Sequence, residues 1–214
     1  MSSATRIRDL LVAQRVVPVL RFGSAATTIR AVDCLREAGF NTFEITLTTP
    51  GAVELIAELH ARIGATATVG AGTVTDLDAA RRCVDAGAQF LVSPCVVPGL
   101  AALAHEAGRA ALIGGFTPTE ILAAHRESAD SVKVFPASLG GSGHLGALHA
   151  VFPNVLLCPT GGVTLENMKS YFDAGAALVG VGNNLLDQAA LAAGDLGGVI
   201  AGARRFLDPT VSSA

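Results

Sequence analysis

Short apolar runs alternate along the chain with longer amphipathic segments, and glycine repeatedly marks the change from one to the other. Four glycines come directly after an acidic residue and an alanine, an arrangement typical of a left-handed helix C-cap. They are Gly39, Gly87, Gly108 and Gly175. With Gly64, Asp130 and Pro153 as weaker breakers, the helical segments end every 21 to 25 residues. This spacing predicts a repeated strand–helix unit.

The apolar runs are predicted to be eight β-strands. Each run is apolar at both odd and even positions, as expected of strands buried between a core and a layer of helices. The predicted strands are Val16–Arg21, Thr42–Thr46, Thr66–Val69, Phe90–Ser93, Ala111–Ile113, Ser131–Phe135, Val155–Cys158 and Leu178–Val181. Because a helix separates each strand from the next, parallel pairing with right-handed crossovers is favoured.

Eight units of nearly equal length favour an α/β fold closed into a single (β/α)8 TIM barrel that spans residues 1–214. A doubly wound sheet is the alternative architecture, whereas the L-x-x-L-x-L signature of a leucine-rich solenoid is missing. An extra helix, roughly Ala4–Gln14, is predicted before the first strand. Active sites of such barrels lie at the C-terminal strand ends, so candidate functional residues are sought there.

Composition narrows the possible partners and location. The net charge is −3 and the basic residues are scattered, which argues against nucleic-acid binding. No stretch reaches the roughly 18 apolar residues of a membrane span, and no secretory signal is recognised. The cysteines are widely separated with no C-x-x-C, and the histidines form no ligand-like cluster. This pattern favours buried thiols, no metal site and a cytoplasmic protein.

Lys133 is the lysine with the most unusual setting. The chain has only one other lysine, Lys169, in a segment that reads as a helix surface. Strand alternation places the Lys133 side chain opposite those of Val132 and Val134, toward the barrel interior. Burial disfavours the charged ammonium form and so supplies a free amine able to attack a ketone. A core lysine paired with a carboxylate is the structural alternative.

Glu44 holds the corresponding position at the end of the second strand, in the phrase Phe-Glu-Ile-Thr. A carboxylate that shares the barrel interior with Lys133 can pair with it and transfer protons during a reaction. A purely structural ion pair would have similar geometry, so the sequence leaves both interpretations open. Lys133 and Glu44 are the candidate catalytic residues.

Two glycine-rich phrases, Gly-Ala-Gly-Thr at 70–73 and Thr-Gly-Gly at 160–162, lie in loops ahead of helices. Their backbone N–H groups can bind a carboxylate or phosphate, although tight turning alone would also explain such glycines. Together with Gly182-Asn183-Asn184, the second phrase matches the phosphate site that barrels form after strands 7 and 8. An anion site is therefore predicted there.

Seven phrases follow one another between about Arg15 and Leu185: Pro-Val-Leu-Arg, Phe-Glu-Ile-Thr-Leu, Gly-Ala-Gly-Thr-Val, Ser-Pro, Gly-Gly-Phe-Thr-Pro-Thr-Glu, Val-Lys-Val-Phe-Pro-Ala and Pro-Thr-Gly-Gly-Val. Together, and in this order, they resemble the 2-keto-3-deoxy-6-phosphogluconate (KDPG) / 4-hydroxy-2-oxoglutarate (KHG) aldolase family. The resemblance implies a homotrimeric (β/α)8 enzyme of carbohydrate metabolism that needs no metal or cofactor. Such an enzyme is a class I aldolase, which makes and breaks the bond between pyruvate and an aldehyde.

The same resemblance implies a role for each matched residue. Lys133 would form the Schiff base with the keto-acid substrate, and Glu44 would shuttle protons. The remaining matched residues would contact the substrate: Thr73 and Thr160 at the pyruvate portion, Pro94 and Phe135 as its apolar walls, Gly161, Gly162, Gly182 and Asn183 at a distal phosphate, and Arg21 at the carboxylate or the phosphate.

Three departures from the family pattern bear on the substrate. Thr48 replaces an arginine of many members, which the branch resembling 2-keto-3-deoxy-6-phosphogalactonate (KDPGal) aldolase also lacks. Asn183 replaces a serine. The loop after Lys133 also lacks the usual proline and lysine. KDPGal is thus an alternative substrate. Two different functions would also fit such a barrel: a phosphate-binding isomerase or synthase without a Schiff base, and a non-catalytic sugar-acid sensor.

Overall fold

The computed structural model describes residues 2–208, and within them eight parallel strands form one sheet. The strands are β1 (Val16–Leu20), β2 (Thr42–Thr46), β3 (Thr68–Gly72), β4 (Phe90–Val92), β5 (Ala110–Gly115), β6 (Ser131–Val134), β7 (Leu157–Pro159) and β8 (Val179–Val181). Their spatial order is β7-β6-β5-β4-β3-β2-β1-β8. Bridges from Leu157 to Ala176 and from Thr160 to Gly180 bring β7 beside β8, so the sheet closes nearly into a barrel.

Helices follow the strands as the sequence predicts, which confirms the (β/α)8 fold. They are α1 (Ser3–Gln14), α2 (Ala25–Ala38), α3 (Ala52–Ile63), α4 (Leu77–Asp85), α5 (Leu100–Glu106), α6 (Pro118–Arg126), α7 (Gly141–Val151), α8 (Met168–Asp173), α9 (Gln188–Ala193) and α10 (Leu196–Arg204). Short 3₁₀ turns cover Ala137–Leu139 and Arg205–Leu207. None of the helices within residues 2–208 is both long and apolar enough to cross a membrane.

Local sequence signals start and stop several of these helices. The Ser24 hydroxyl accepts a hydrogen bond from the Thr27 amide at the start of α2, and Thr117 with Glu120 forms a capping box at the start of α6. The four glycines predicted to end helices all have positive φ angles, between 70° and 112°. That conformation is cheap for glycine because it has no Cβ, so each helix can turn directly into the following strand.

The extra helix α1 closes the N-terminal end of the barrel, opposite the expected site. Ile7 and Leu11 are buried against a cluster of strand residues that includes Val17, Phe90 and Leu178. Burying such side chains contributes roughly 1.5 to 3 kcal/mol each. The barrel therefore has a packed base, and its open end lies at the C-terminal ends of the strands.

The observed strands agree with the sequence prediction to within two residues, except for β3. This strand covers Thr68–Gly72 rather than the predicted Thr66–Val69. Gly70 lies directly against the ring of Phe90, and Gly72 lies against the side chain of Glu44. The two glycines therefore belong to the strand because side chains from neighbouring strands fill the space beside them.

Candidate active site

Lys133 and Glu44 meet inside the barrel. They come from β6 and β2, and their exposed fractions are 6% and 3%. The Lys133 Nζ donates to Glu44 Oε1 at 3.4 Å. Two residues that are 89 positions apart in sequence thus form a buried pair of a potential nucleophile and a potential proton acceptor.

The neighbouring strands give Lys133 few competing polar contacts. In the strand register it lies beside Gly114 on β5 and Cys158 on β7. Burial raises the pKa of the Cys158 thiol from its ordinary 9.0 to about 12, so this neighbour is uncharged at neutral pH. The Thr160 hydroxyl, 3.8 Å from Cys158 Sγ, lies one layer closer to the open end.

Glu44 is positioned by the glycines of β3. Its backbone lies beside Gly70 in the strand register, and its carboxylate lies against Gly72, where a Cβ would collide with it. On the other side of β2, the Thr46 hydroxyl donates to the Leu20 carbonyl at 3.1 Å, which ties the strand end to β1. A larger residue at position 72 would displace the carboxylate from Lys133.

A cavity of about 400 Å³ opens above Lys133 at the C-terminal ends of the strands. Most of the predicted site residues line it, together with Asn184 of the predicted anion loop and Val19, which the sequence pattern does not single out. The predicted residues in its wall are Arg21, Lys133, Phe135, Thr160, Gly161, Gly162, Gly182 and Asn183. The cavity thus combines a buried amine, a guanidinium and two glycine loops.

Phe135 forms an apolar wall beside the amine. Lys133 Nζ lies 5.6 Å from the centroid of its ring, within cation–π range. The same ring packs against Gly161, whose missing side chain leaves room for it. Thr160 likewise occupies the space that Gly180 leaves free on β8. The glycines of this region therefore let larger side chains approach the cavity.

Thr73 and Pro94 do not line this cavity, although both follow strands at the same end of the barrel. Thr73 comes directly after Gly72 and has a positive φ of 62°, which is uncommon for a residue with a Cβ. The Pro94 backbone lies against Gly114, the neighbour of Lys133. Both residues thus flank the Lys133–Glu44 pair from the β3–β5 side.

Two other cavities in the part of the chain that the structure describes contain no lysine. A larger cavity, about 740 Å³, lies at the N-terminal ends of β2 and β3 and shares no residue with the Lys133 cavity. Within residues 2–208, no three His, Cys, Asp or Glu side chains converge in a way that could hold a metal ion.

This fold and this site define a barrel enzyme built around a buried lysine and its carboxylate partner. The chain belongs to the KDPG and KHG aldolase family, whose model matches residues 7–201. The prediction that it is an aldolase, a carbon–carbon lyase, is thereby confirmed. The match goes against an isomerase or synthase.

Curated and solved relatives agree with the family. A probable 2-dehydro-3-deoxy-6-phosphogalactonate aldolase of Rhizobium meliloti is 36% identical over 77% of this chain and 78% of its own length. The 2-dehydro-3-deoxy-phosphogluconate aldolase of Dickeya dadantii is 35% identical over 94% of each chain. A crystal structure of the KDPG aldolase of Legionella pneumophila, with pyruvate captured as a covalent carbinolamine, is 27% identical with a TM-score of 0.82, covering 96% of this chain and 98% of that one.

Proposed function

We propose that this chain is a class I aldolase that cleaves a 2-keto-3-deoxy-6-phospho sugar acid through a Schiff base on Lys133. The observation that carries the proposal is the buried contact between Glu44 Oε1 and the Nζ of Lys133, which lines the cavity. An amine held away from water can react as a nucleophile, and a carboxylate within hydrogen-bond distance can accept and return a proton. Acting together, they supply both groups that aldol cleavage needs.

The reaction begins when the neutral amine of Lys133 attacks the C2 ketone of the keto acid to form a carbinolamine. Glu44, which took a proton from the lysine ammonium, protonates the carbinolamine hydroxyl. Water then leaves, and the resulting iminium withdraws electrons from the neighbouring carbons. Glu44 takes the C4 hydroxyl proton, directly or through a water, while the C3–C4 bond breaks and its electron pair enters the iminium as an enamine. The aldehyde, such as glyceraldehyde 3-phosphate, then leaves.

The second half regenerates the enzyme. The enamine takes a proton at C3, and Glu44, which gained one in the cleavage step, is its source. Water then attacks the resulting iminium and releases pyruvate and the free lysine amine. The water lost at the start equals the water consumed at the end, so the cycle balances without a co-reactant.

The substrate-binding roles are those that the family resemblance implies, and all of these residues except Thr73 and Pro94 line the cavity. Phe135 and Pro94 would form apolar walls for the pyruvate portion, with Thr73 and Thr160 as its polar contacts. Arg21 is the guanidinium of the cavity wall and would hold the carboxylate or the phosphate. The backbone of the two glycine loops would bind the distal phosphate through Gly161, Gly162, Gly182 and Asn183.

A second candidate substrate is KDPGal, cleaved by the same chemistry. The observation that favours it is Thr48, which stands where many family members have an arginine. The Rhizobium meliloti relative, a probable phosphogalactonate aldolase, supports the same branch. Turnover of KDPG, KDPGal and KHG compared side by side would rank the candidates, since all three release pyruvate.

Borohydride reduction in the presence of pyruvate tests the mechanism. The reductant converts a pyruvate Schiff base into a stable secondary amine, so the Lys133 peptide should gain a pyruvate-derived mass. Lys169 is an internal control, since it is half-exposed and paired with Asp173 on the surface of α8. The Lys133→Arg variant keeps the positive charge and cannot be trapped. An unmodified Lys133 in the wild-type protein would contradict the Schiff-base mechanism.

The proposal includes a single-domain homotrimer, as the family resemblance implies. Leu139, a large apolar side chain, is 77% exposed in the 3₁₀ turn that follows β6. A subunit interface there would remove it from water. Light scattering coupled to gel filtration should give three times the chain mass, and a monomer would contradict this part of the proposal.

A further inference from the structure

The loop after β7 is held by hydrogen bonds to successive peptide carbonyls. The first two come from the 3₁₀ turn that follows β6. The Thr160 carbonyl accepts from the Ala137 amide at 2.8 Å, and the Gly161 carbonyl accepts from the Ser138 amide at 3.0 Å. The start of the loop is therefore anchored to the segment that carries Lys133 and Phe135.

The next two carbonyls are held by asparagine side chains. Asn167, just before α8, donates from Nδ2 to the Gly162 carbonyl at 2.9 Å. Asn184, in the loop after β8, donates from Nδ2 to the Val163 carbonyl at 3.0 Å. The Asn184 contact spans 21 positions and joins the two loops that line the cavity beside Arg21.

The two asparagines together fix one peptide unit from both edges. In a trans peptide the C=O and N–H groups point in opposite directions. Asn184 binds the Val163 carbonyl, while the Thr164 amide of the same unit donates to Asn167 Oδ1 at 2.8 Å. This peptide cannot rotate without breaking both hydrogen bonds. The preceding Gly161 and Gly162, at φ of 91° and 80°, would otherwise be the most flexible part of the loop.

We propose that Asn184, together with Asn167, is a positioning residue that sets the anion-binding conformation of the loops after β7 and β8. Binding an anion through backbone amides requires those amides to be oriented before the ligand arrives, because ordering a glycine-rich loop on binding costs entropy. The inference rests on the proposed function in one respect, that these loops hold the phosphate end of the substrate. The asparagine contacts lie with the loops, away from the Lys133–Glu44 pair.

Direct binding of inorganic phosphate, measured by titration calorimetry, tests this role independently of catalysis. Asn184→Ala removes one hydrogen bond to the loop and Asn167→Ala removes two, and each variant should weaken phosphate binding about five- to tenfold. Asn154→Ala removes an exposed asparagine at the far end of the barrel and is the matched control. The KM for glyceraldehyde 3-phosphate in the condensation direction should rise by a similar factor, with kcat unchanged. Borohydride trapping of pyruvate on Lys133 should match wild type in every variant.

Each outcome decides a separate question. Weaker phosphate binding in both asparagine variants, with pyruvate trapping and the melting temperature kept, supports the positioning role. Phosphate affinity that stays at the wild-type value would overturn it, and so would a wild-type protein that binds no phosphate. A parallel loss of trapping and thermal stability would mean that the asparagines only support the fold. Failure of wild-type trapping with phosphate binding intact would refute the Schiff-base proposal and leave the positioning role standing.

Discussion

Lys133 and Glu44 are almost completely removed from water, and burying both groups costs folding free energy. Desolvation of two charges can exceed the attraction between them, so a buried ion pair is weak evidence of a stabilising role. An apolar pair of similar volume would fill this space at lower cost. Lys133 also lines an open cavity, so the pair is not sealed inside the core. Its position is therefore better explained by chemistry than by stability.

Glu44→Gln keeps the size of the side chain and removes its capacity to accept a proton. We expect kcat for cleavage to fall about 100- to 10,000-fold, the usual contribution of general acid–base catalysis. Pyruvate should still be trapped on Lys133 by borohydride, because the amine remains. Glu54→Gln, in the first turn of α3, is the control and should keep wild-type kcat. Wild-type cleavage by Glu44→Gln would assign the proton transfer to another group.

Thr48→Arg restores the positive charge that many family members carry at this position. Thr48 is exposed in the loop after β2, and its hydroxyl lies 3.0 Å from that of Thr46. A guanidinium there should favour KDPG or KHG over KDPGal, changing the ratio of kcat/KM values about tenfold or more. Thr48→Gln adds length without charge and should leave the ranking as it is. An unchanged ranking in Thr48→Arg would show that position 48 does not select the substrate.

The sequence allows the roles of some site residues to be predicted, but not those of others. Lys133 and Glu44 were predictable because strand alternation decides which side chains face the barrel interior. Asn184 lies in the predicted loop, but its role depends on reaching the Val163 carbonyl, a contact that no local pattern encodes. The same is true of Asn167 and Gly162. Hydrogen bonds between separate loops depend on how the barrel closes.

At the level of elements, the difference between local pattern and tertiary contact explains why the predicted bounds of β3 were wrong. Gly70 and Gly72 have a low preference for strands, so the apolar pattern ended the predicted strand at Val69. In the folded chain the rings and carboxylates of neighbouring strands occupy the missing side-chain positions. The strand therefore extends to Gly72 because of tertiary contacts, which override local preference. Helix ends, by contrast, were predictable because a glycine in the left-handed conformation ends a helix without help from distant residues.

Helix α1 offers a test of how the barrel base is sealed. Leu11 is 1% exposed against the inner strand residues, whereas its neighbour Leu10 is 50% exposed. Leu11→Ala should lower the free energy of unfolding by about 2 to 5 kcal/mol, because it leaves a cavity in this cluster. Leu10→Ala should lower it by about 0.5 kcal/mol or less. Urea denaturation of the two variants checks this, and equal losses would mean that α1 is not packed as described.

On the scale of the whole molecule, the residues that stabilise the barrel base and the residues of the candidate active site lie at opposite ends. The base is packed with apolar side chains, and the opposite end gathers the lysine, the carboxylate and the glycine loops. Three buried thiols, those of Cys34, Cys83 and Cys158, are spread through this structure, and burial raises the pKa of each. Their ionisation therefore links the stability of the whole chain to alkaline pH.

Cys83 allows that linkage to be measured. Burial raises its pKa from 9.0 to about 11, so between these values the thiol ionises in the unfolded chain and stays protonated in the folded one. Its contribution to stability is complete below pH 9 and is lost as the pH rises toward 11. Cys83→Ala should make the alkaline fall in unfolding free energy shallower, by up to about 1.4 kcal/mol per pH unit.

Urea denaturation between about pH 7 and pH 11 would measure this difference in slope. Cys83→Ala creates a small cavity and should be less stable at every pH, so the slope and not the absolute stability carries the test. Cys95→Ala removes an exposed thiol from the loop after β4 and should keep the wild-type slope. If Cys83→Ala and wild type lost stability in parallel above pH 9, the Cys83 thiol would have to ionise equally in the folded and unfolded chains, contrary to its complete burial.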